Sequence, residues 1–346
     1  MSNNRITQTR IVKRHKRKIR KKVYFILLPI LIAFLSVLGY GTYLYIKADT
    51  VMSDSYVETE REKSPLRDAL VDPNIDNVSV LIMGIDSNDH RGNADSARTD
   101  ALMLATFNKD EKSVNLLSIP RDSLVYIPEV GYEDKINHAH YFGGTTGAIE
   151  TVENLLDIPV DYYVKVNFHA FVDVVDALGG ISVDVPYEFK ESDSMDKRDS
   201  IHLMPGVQDV GGEEALALAR TRKLDNDIER GKRQQEIMKA VINKATSLNS
   251  ILNDDDLLEA VGDNMTTNMT FSDMKTFITY GTKGKNIEIN TLSLEGYDYQ
   301  PANKYYWALD QPSLEETKAL LQDHLEINSS VANNQDSTIE STSESY

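Results

Sequence analysis

The sequence predicts an α/β fold in which helices pack in layers on a sheet. Three observations predict this class: apolar runs with the length of strands, apolar stripes with helical spacing, and glycine pairs or polar turns between them. Strand-like and helix-like segments alternate through the middle of the chain, and no internal repeat interrupts that order. This alternation is typical of layered α/β domains.

Three apolar runs open the folded region. They are VSVLIMG from Val78, DALMLATFN from Asp100 and SVNLLSI from Ser113. Turn-forming residues occupy positions 108–111, between the second and third runs, so we expect these two strands to form a hairpin.

Helices and strands then alternate. An apolar stripe over residues 146–156 predicts a helix, with the glycine-containing segment 143–147 as its entry loop. The run DYYVKVNF from Asp161 predicts a strand, and residues 168–178 predict a short helix ended by Gly179 and Gly180. The other predicted elements are a strand at 181–185, a helix at 234–248, one or two further helices, a strand at 287–292 and a closing helix at 313–325.

The N-terminal region predicts membrane attachment. Residues 23–46 carry no charge and are long enough to cross about 30 Å of hydrocarbon. Residues 1–22 hold ten of the 37 lysines and arginines and no acid, which predicts a basic cytoplasmic segment. No A-x-A cleavage pattern follows, so we expect a retained signal anchor. The predicted location is the cell membrane, as a single-pass type II protein with its catalytic domain outside the cell.

Polar segments flank the predicted domain. Residues 47–76 read as an extracellular stalk and residues 328–346 as a disordered polar tail, because neither can bury much apolar surface. The extracellular domain is therefore predicted at 77–327. The chain has no cysteine, which excludes disulfides, thiolate nucleophiles and thiolate metal sites.

A cluster of arginines stands out in an acidic domain. Arg220 and Arg222 would project to one side of an extended segment, while Arg230 and Gln234 share a helix face at i and i+4. Guanidinium groups clamp phosphate oxygens, so these side chains could converge on one anion, with Arg233 left on the surface. The alternative is a solvated face of ion pairs with the acids of the same segment, Asp225, Asp227 and Glu229.

Other candidate groups stand at the ends of predicted strands. Asp86 follows the first strand and Asp100 opens the second, so the two carboxylates could meet around Mg²⁺; the alternative is a pair of ordinary loop acids. Arg121 follows a strand in SIPRD, where ligands of α/β sheets usually bind. His138 and His140 could serve as a base or a metal ligand, but hydrogen-bonded loop histidines are the simpler interpretation.

Several catalytic motifs are absent from the sequence. It contains no G-x-S-x-G, no H-E-x-x-H and no G-x-x-x-x-G-K-[ST]. Two carboxylates combined with several arginines indicate phosphoryl chemistry instead, in which positioning and charge neutralisation do most of the catalysis.

Residues 78–248 resemble the LytR-CpsA-Psr family, and within it the wall teichoic acid ligases of Gram-positive bacteria. The segments that carry the resemblance, in order, are VLIMGID, RTDALML, SIPRD, DKINHAHYFGG, TVENLLDIPVDYYVKVNF, VVDALGGISVDV, EEALALARTR and DIERGKRQQ. The resemblance implies a three-layer α/β/α sandwich with a central mixed sheet, preceded here by one transmembrane helix. It also implies transfer of a phosphosugar end from a polyprenyl-pyrophosphate-linked glycopolymer, with wall teichoic acid the expected polymer, to a muramic acid hydroxyl of peptidoglycan.

The resemblance also implies roles for individual residues. Asp86 and Asp100 match carboxylates that bind Mg²⁺ (or Mn²⁺), and Asp227 matches an acid that either orients an arginine or acts as a base. The pyrophosphate-binding set that it implies is Arg121, Arg220, Arg222, Arg230 and Gln234. Family members often carry an arginine just after the first acid; this chain has Ser87 and Asn88 there, so Arg91 or Arg98 is expected to supply that contact.

Two other functions remain open from the sequence. One is a pyrophosphatase that hydrolyses the same lipid-linked bond, and the other is a membrane-anchored protein that binds the polymer or its lipid carrier without turnover. Nucleic acid is not an expected partner, because the domain is acidic and is predicted to lie across a membrane from it. The expected partners are the lipid-linked glycopolymer, peptidoglycan and membrane lipid.

Overall fold

A computed structural model gives the fold of the chain. It describes residues 42–43, 46–47, 49–50, 55–59, 61–85, 98–223, 226–247, 265–283 and 287–327. The predicted segments 1–22 and 328–346 lie outside these residues, as does most of the predicted membrane-spanning segment 23–46. Within the described residues, no helix combines the length and apolar content that crossing a membrane requires.

The described strands and helices have the following bounds. The strands are β1 Val78–Ile85, β2 Thr99–Asn108, β3 Ser113–Ser118, β4 Leu124–Ile127, β5 Tyr132–Lys135, β6 Tyr162–Asn167, β7 Ile181–Val185, β8 Phe189–Glu191, β9 Ile201–Leu203, β10 Gly206–Val210, β11 Met265–Thr267, β12 Glu288–Ser293, β13 Gly296–Tyr299 and β14 Tyr306–Leu309. The α-helices are α1 Ala139–Leu156, α2 Phe168–Ala177, α3 Gly212–Arg220, α4 Asp227–Ser247, α5 Phe271–Lys283 and α6 Gln311–His324.

A central mixed sheet has the strand order β11-β6-β1-β2-β3-β12. Strand β1 pairs parallel with β6 and antiparallel with β2, and the predicted hairpin of β2 and β3 is present. At one edge β12 runs parallel to β3, although the two strands are far apart in sequence. The prediction of an α/β fold with a central mixed sheet is confirmed.

Helices cover both faces of this sheet because successive strand residues point to opposite sides. Leu81 and Met83 are fully buried in a core that includes residues of α1 and α6. On the other face Val80 packs in a cluster with residues of α5, and Met103 packs in a cluster with Met238 of α4. The result is the three-layer arrangement.

Two helices differ from their predicted bounds. Helix α1 begins at Ala139, before the predicted entry segment 143–147, but its backbone is non-helical at Gly143 and Gly144, so the predicted glycine break is present as a kink within the helix. The helix is kinked there, because Gly144 has φ 59° and ψ −152°, values that glycine adopts without strain. Helix α4 begins at Asp227, a full two turns before the predicted residue 234. Its charged first turns show no apolar stripe, so periodicity alone could not reveal them.

The described part of the predicted 47–76 stalk packs against the domain. Arg61 forms an ion pair and a second hydrogen bond of 2.9 Å with Glu153 of α1. Arg67 binds both carboxylate oxygens of Asp161, at 2.9 and 2.7 Å. Composition made this segment look solvated, but its arginines pair with half-buried and buried carboxylates of the domain. From Arg61 onward these contacts hold it on the surface, so it does not stand off as a stalk.

Candidate active site

A cavity of ≈ 240 Å³ lies between the sheet and helices α2, α3 and α4. It lies where β1 and β6 reach their C-terminal ends, the usual ligand-binding edge of parallel strands. Its apolar lining comes from both layers: Ile82, Met103, Phe168, Phe171, Leu216, Ile237 and Met238. Its polar lining includes Asp100, Arg121, Arg220, Arg222, Arg230 and Gln234. One cavity therefore combines an apolar interior with a cluster of guanidinium groups.

Arg121 is the central cation of this cluster. Its Nη1 donates to Asp100 Oδ1 at 2.5 Å, and its Nε lies 3.6 Å from Asp227 Oδ2 and 3.9 Å from Asp122 Oδ2. Burial opposes the charge of this guanidinium, but the three carboxylates outweigh burial and raise the pKa of Arg121 above its ordinary value. Arg121 therefore remains a fixed cation that joins β2 to the first turn of α4.

Asp227 gathers three arginines at the start of α4. Its Oδ1 lies 3.3 Å from Arg230 Nη2 and 3.5 Å from Arg222 Nη1, in addition to its contact with Arg121. Arg230 is only 6% exposed, and burial lowers the pKa of its guanidinium to about 10. It is still charged at neutral pH, in a setting that favours a further negative charge.

The end of α3 presents the other arginines of the cluster. Arg220 is the last residue of α3, and its guanidinium lies over the Phe168 ring at 4.7 Å. The chain turns to an extended conformation at Thr221, which carries Arg222 toward Asp227. Gln234 lines the same cavity and donates to Ala219 O at 3.1 Å. The predicted shared face of Arg230 and Gln234 therefore borders the cavity.

Arg233 is not a surface residue, contrary to the prediction. It is 8% exposed, its Nε donates to Leu218 O at 3.2 Å, and its Nη2 donates to Thr221 O. The carbonyl groups at the end of a helix lack partners within the helix, so a buried guanidinium can satisfy them. Arg233 thus fixes the turn that carries Arg220 and Arg222, and spacing gave no sign of this.

The neighbouring Gln235 ties α4 to the sheet. Its buried side-chain amide donates to Leu116 O of β3 at 2.8 Å and to Leu292 O of β12 at 2.5 Å. Two consecutive glutamines thus face different surroundings: Gln234 borders the cavity, and Gln235 holds the helix in place.

Three guanidinium nitrogens of the cluster have no hydrogen-bond partner among the residues that the structure describes. They are Arg121 Nε, Arg220 Nη1 and Arg230 Nε, and all three atoms are buried. Buried donors in native proteins are nearly always satisfied, and an unsatisfied one costs about 1–3 kcal/mol. Three such donors around one cavity indicate a preformed site for an anion with several oxygens.

A second, more open cavity of ≈ 690 Å³ adjoins the first. It shares Asp100, Arg121 and Arg222 with the first cavity, and its other lining residues are Arg98, Asp122, Lys135, Asn137 and His138. Asp122 binds Lys135 Nζ at 2.7 Å. Burial acts to raise the pKa of Asp122, but the hydrogen bond from Lys135 and the positive charges of Lys135 and Arg121 hold it below the ordinary value.

Sequence reasoning missed Asp122, Lys135 and Asn137. The signal was present in SIPRD and DKINHAH, the two segments that contain these residues. In the structure, Asp122 lies closer to Lys135 of β5, at 2.7 Å, than to the adjacent Arg121, at 3.9 Å.

The two candidate histidines differ in their surroundings: one is hydrogen-bonded to an aspartate and the other is fully buried. His138 Nδ1 lies 2.8 Å from Asp134 Oδ2, and His140 is fully buried in α1. His138 still borders the second cavity, whereas His140 lines neither. The expectation that loop histidines are hydrogen-bonded holds for His138, while His140 is a helix residue.

The predicted metal pair can be followed only in part. Asp86 lies outside the described residues, as do Arg91 and Asp225. Ile85, the last residue of β1, pairs with Thr99, which directly precedes Asp100. Among the described residues no group of three or more histidines and acids could hold a metal ion. Asp100 Oδ1 accepts a hydrogen bond from Arg121.

This geometry suits an amphiphile, because the first cavity could take an apolar chain and the arginine cluster a polyanionic head. The LytR_cpsA_psr family model matches residues 42–323, so the chain belongs to that family, as its motifs predicted.

Known relatives agree with this family assignment. The "Polyisoprenyl-teichoic acid--peptidoglycan teichoic acid transferase TagT" of Bacillus subtilis (strain 168) is 41% identical over 317 residues, which are 90% of this chain and 98% of that protein. The solved structure "TagT bound to LIIa-WTA" has a TM-score of 0.67 at 41% identity and covers 78% of this chain and 99% of its own. A structure of YwtF (TagT) "with bound octaprenyl pyrophosphate lipid" has a TM-score of 0.62 at 39% identity, with 78% and 98% covered.

Proposed function

We propose that this protein is a phosphotransferase that moves an anionic glycopolymer from a polyprenyl-pyrophosphate carrier to a muramic acid hydroxyl of peptidoglycan. The observation that carries the proposal is a set of three buried guanidinium nitrogens, on arginines that line an apolar cavity, that lack a hydrogen-bond partner among the described residues. A prenyl chain matches the apolar interior, and two linked phosphates match the arginines. The names of relatives, which include teichoic acid transferases, support wall teichoic acid as the polymer.

The reaction joins the two cavities. The acceptor hydroxyl oxygen attacks the phosphorus that bears the glycopolymer, and the bond between that phosphorus and the bridging oxygen breaks. Polyprenyl phosphate leaves with the electron pair, and the hydroxyl proton is released to solvent. Charge develops on the leaving phosphate, where Arg121, Arg220 and Arg230 can neutralise it through donors that are already in place.

Asp227 holds the arginines in this proposal. It lies within 3.6 Å of Arg121, Arg222 and Arg230, so its carboxylate fixes three guanidinium groups relative to one another. This favours the orienting role over the role of base, the two roles that the sequence left open.

We assign Mg²⁺ (or Mn²⁺) to Asp86 and Asp100. The pairing of Ile85 with Thr99, which directly precedes Asp100, supports this assignment. Bound there, the ion would supply Lewis-acid neutralisation of phosphate oxygens. A basic contact from Arg91 or Arg98 is expected near these acids. Arg91 lies outside the described residues, and Arg98 lines the second cavity.

The sequence supports a location in the cell membrane. We propose a single-pass type II protein of the cell membrane, anchored by residues 23–46 with the catalytic domain outside the cell. A lipid-linked donor would then reach the site from the outer leaflet.

The test uses the purified full chain in detergent, with a defined prenyl-pyrophosphate-linked glycan, Mg²⁺ and peptidoglycan oligomers. Mass spectrometry should find a glycan joined to the oligomer by one phosphodiester, and Arg222→Ala should lower its rate at least about 100-fold through loss of a charged contact. Lys232→Ala is the control, because Lys232 lies on the same helix but is exposed and pairs with Glu229.

Other products would identify the alternatives. Free phosphorylated glycan without linked product would support the pyrophosphatase. Tight binding of the lipid without any turnover would support the binding protein and refute the proposed transfer.

A further inference from the structure

The second cavity meets the first at Asp100, Arg121 and Arg222, which line both. A molecule in the second cavity can therefore present one end directly beside the arginine cluster. The remaining lining is polar and carries both signs of charge, which does not suit a prenyl chain. The lining therefore fits a polar group that lies beside the arginine cluster.

Asn137 gives the second cavity an unsatisfied hydrogen-bond acceptor. The residue is 5% exposed, and its Oδ1 is buried with no hydrogen-bond partner in the part of the chain that the structure describes. Its position is fixed, because its backbone N–H donates to Arg121 O at 3.2 Å. An acceptor in this situation is satisfied by a donor from a ligand, and a sugar hydroxyl or an acetamido N–H supplies one.

An exposed aromatic cluster, here called the aromatic rim, contacts His138, which lines this cavity. Tyr132 and Tyr141 are 51% and 52% exposed, and both pack edge-on against Phe142, with ring centroids 6.3 and 5.4 Å apart. Phe142 also contacts His138, at 6.1 Å between centroids. Exposed rings beside a polar cavity mark a binding surface, and their faces match the C–H faces of sugar rings.

The charges of the cavity select for an anionic sugar. Lys135 is held by Asp122 at 2.7 Å and lies within 6 Å of the Tyr305 and Tyr306 rings, at 5.7 and 5.8 Å. Arg98 and Arg222 add cations on the open side of the cavity. Both are solvent-exposed, so they remain accessible to carboxylates that a sugar chain carries.

We propose that this cavity and its aromatic rim bind the acceptor: a glycan of N-acetylated hexosamines that bear carboxylate substituents. The strand lies across Tyr132 and Tyr141, an acetamido or hydroxyl group donates to Asn137, and the acceptor hydroxyl reaches the junction at Arg121. The role as acceptor rests on the proposed transfer reaction, whereas the binding of the glycan does not.

Binding can be measured without the lipid donor. Trp307 is the single tryptophan of the chain, and its backbone N–H donates to Asp122 O at 2.8 Å, so its fluorescence should report occupancy of the cavity. The full chain in detergent is titrated with soluble, uncross-linked peptidoglycan strands. Asn137→Ala and Tyr141→Ala should each raise the dissociation constant about 10-fold, equivalent to one lost hydrogen bond or stacking contact.

Matched measurements separate this site from the lipid site. Affinity for prenyl pyrophosphate should stay within about 2-fold in both variants, since neither residue lines the first cavity. Arg220→Ala should show the reverse pattern, because Arg220 lines only the first cavity. Tyr56→Ala is the control for removal of an exposed tyrosine; Tyr56 is 40% exposed and pairs with Thr267 at the β11 edge.

Three results would overturn the inference: no strand binding by the unsubstituted chain, unchanged strand affinity in both variants, or an equal loss of prenyl pyrophosphate affinity. Tyr141 is exposed, so its variant keeps the test valid even if Asn137→Ala fails to fold. Strand binding through these residues without any phosphodiester product would support the site and refute the proposed transfer. Transfer with an unchanged acceptor KM in both variants would support the proposed transfer and refute the acceptor site.

Discussion

Replacing Arg230 with methionine should separate stability from function. The guanidinium is 6% exposed, and burial lowers its pKa from the ordinary value of arginine to about 10. That drop corresponds to about 3 kcal/mol against the charged form at neutral pH. Methionine has a similar length and no charge. Asp227 would keep Arg121 and Arg222 at 3.6 and 3.5 Å, so its carboxylate would not be left alone.

We therefore expect Arg230→Met to leave the free energy of unfolding unchanged or to raise it by about 1–2 kcal/mol, as apolar replacement of buried charge often does. Affinity for prenyl pyrophosphate should fall about 100-fold, because one charged donor worth about 3 kcal/mol is lost. Urea unfolding and lipid titration measure the two quantities. Lys232→Met, an exposed charge on the same helix, is the control and should change neither.

Loss of more than 2 kcal/mol of stability with unchanged lipid affinity would refute this reasoning. Arg230 would then be a structural member of the Asp227 ion-pair cluster, and its unpartnered Nε would carry no functional meaning.

Three further predictions concern the support of the site. Arg233→Ala should destabilise the protein by about 2–3 kcal/mol, because Leu218 O and Thr221 O lose a buried charged donor. Lipid affinity should also fall, as measured by titration of the folded variant. Gly212→Ala should destabilise the fold by more than about 3 kcal/mol in urea, because a Cβ there would lie 2.2 Å from Val172 O. His324 is buried and its pKa is lowered by burial, so its stabilising contribution is complete above pH 6.5 and is lost as pH falls below that value; urea midpoints should therefore decline from pH 7 to 5.5, and less so in His324→Gln.

Each of these has a contrary outcome. Normal lipid affinity in a destabilised Arg233→Ala variant would show that the turn at Thr221 does not position the arginines. A stable Gly212→Ala variant would mean that α3 can move away from α2 freely. An identical pH profile in His324→Gln would assign the acid sensitivity to carboxylates elsewhere.

Periodicity and strand-length patterns were sufficient for the layers of this fold. They failed where charge hides burial: Arg233 lies three residues after Arg230, and in sequence both look like parts of a solvated helix. Only the tertiary position of the α3 carbonyls decides that Arg233 points inward. The glycines of α1 are a second case. The sequence predicts a loop before the helix, whereas in the structure helical turns lie on both sides of the kink at Gly144.

Only part of the candidate site could be predicted from the sequence. The arginines and Gln234 could be listed from motifs, and the structure brings them to one cavity. The second cavity could not be anticipated, since its lining comes from β2, from the segment after β3, and from β5 with the turn after it. Nothing in the spacing of Arg98, Lys135 and Asn137 indicates that they meet.

The bonds from Gln235 to Leu116 and Leu292 have a consequence for the order of assembly. Strand β12 joins β3 only after about half of the chain has intervened, and closing so long a loop is a slow, late event in folding. A nascent chain that ends after α4 already contains all the arginines, yet it lacks the strand that anchors their helix. The arginine cluster can therefore reach its final form only after β12, Glu288–Ser293, has been synthesised and has joined the sheet.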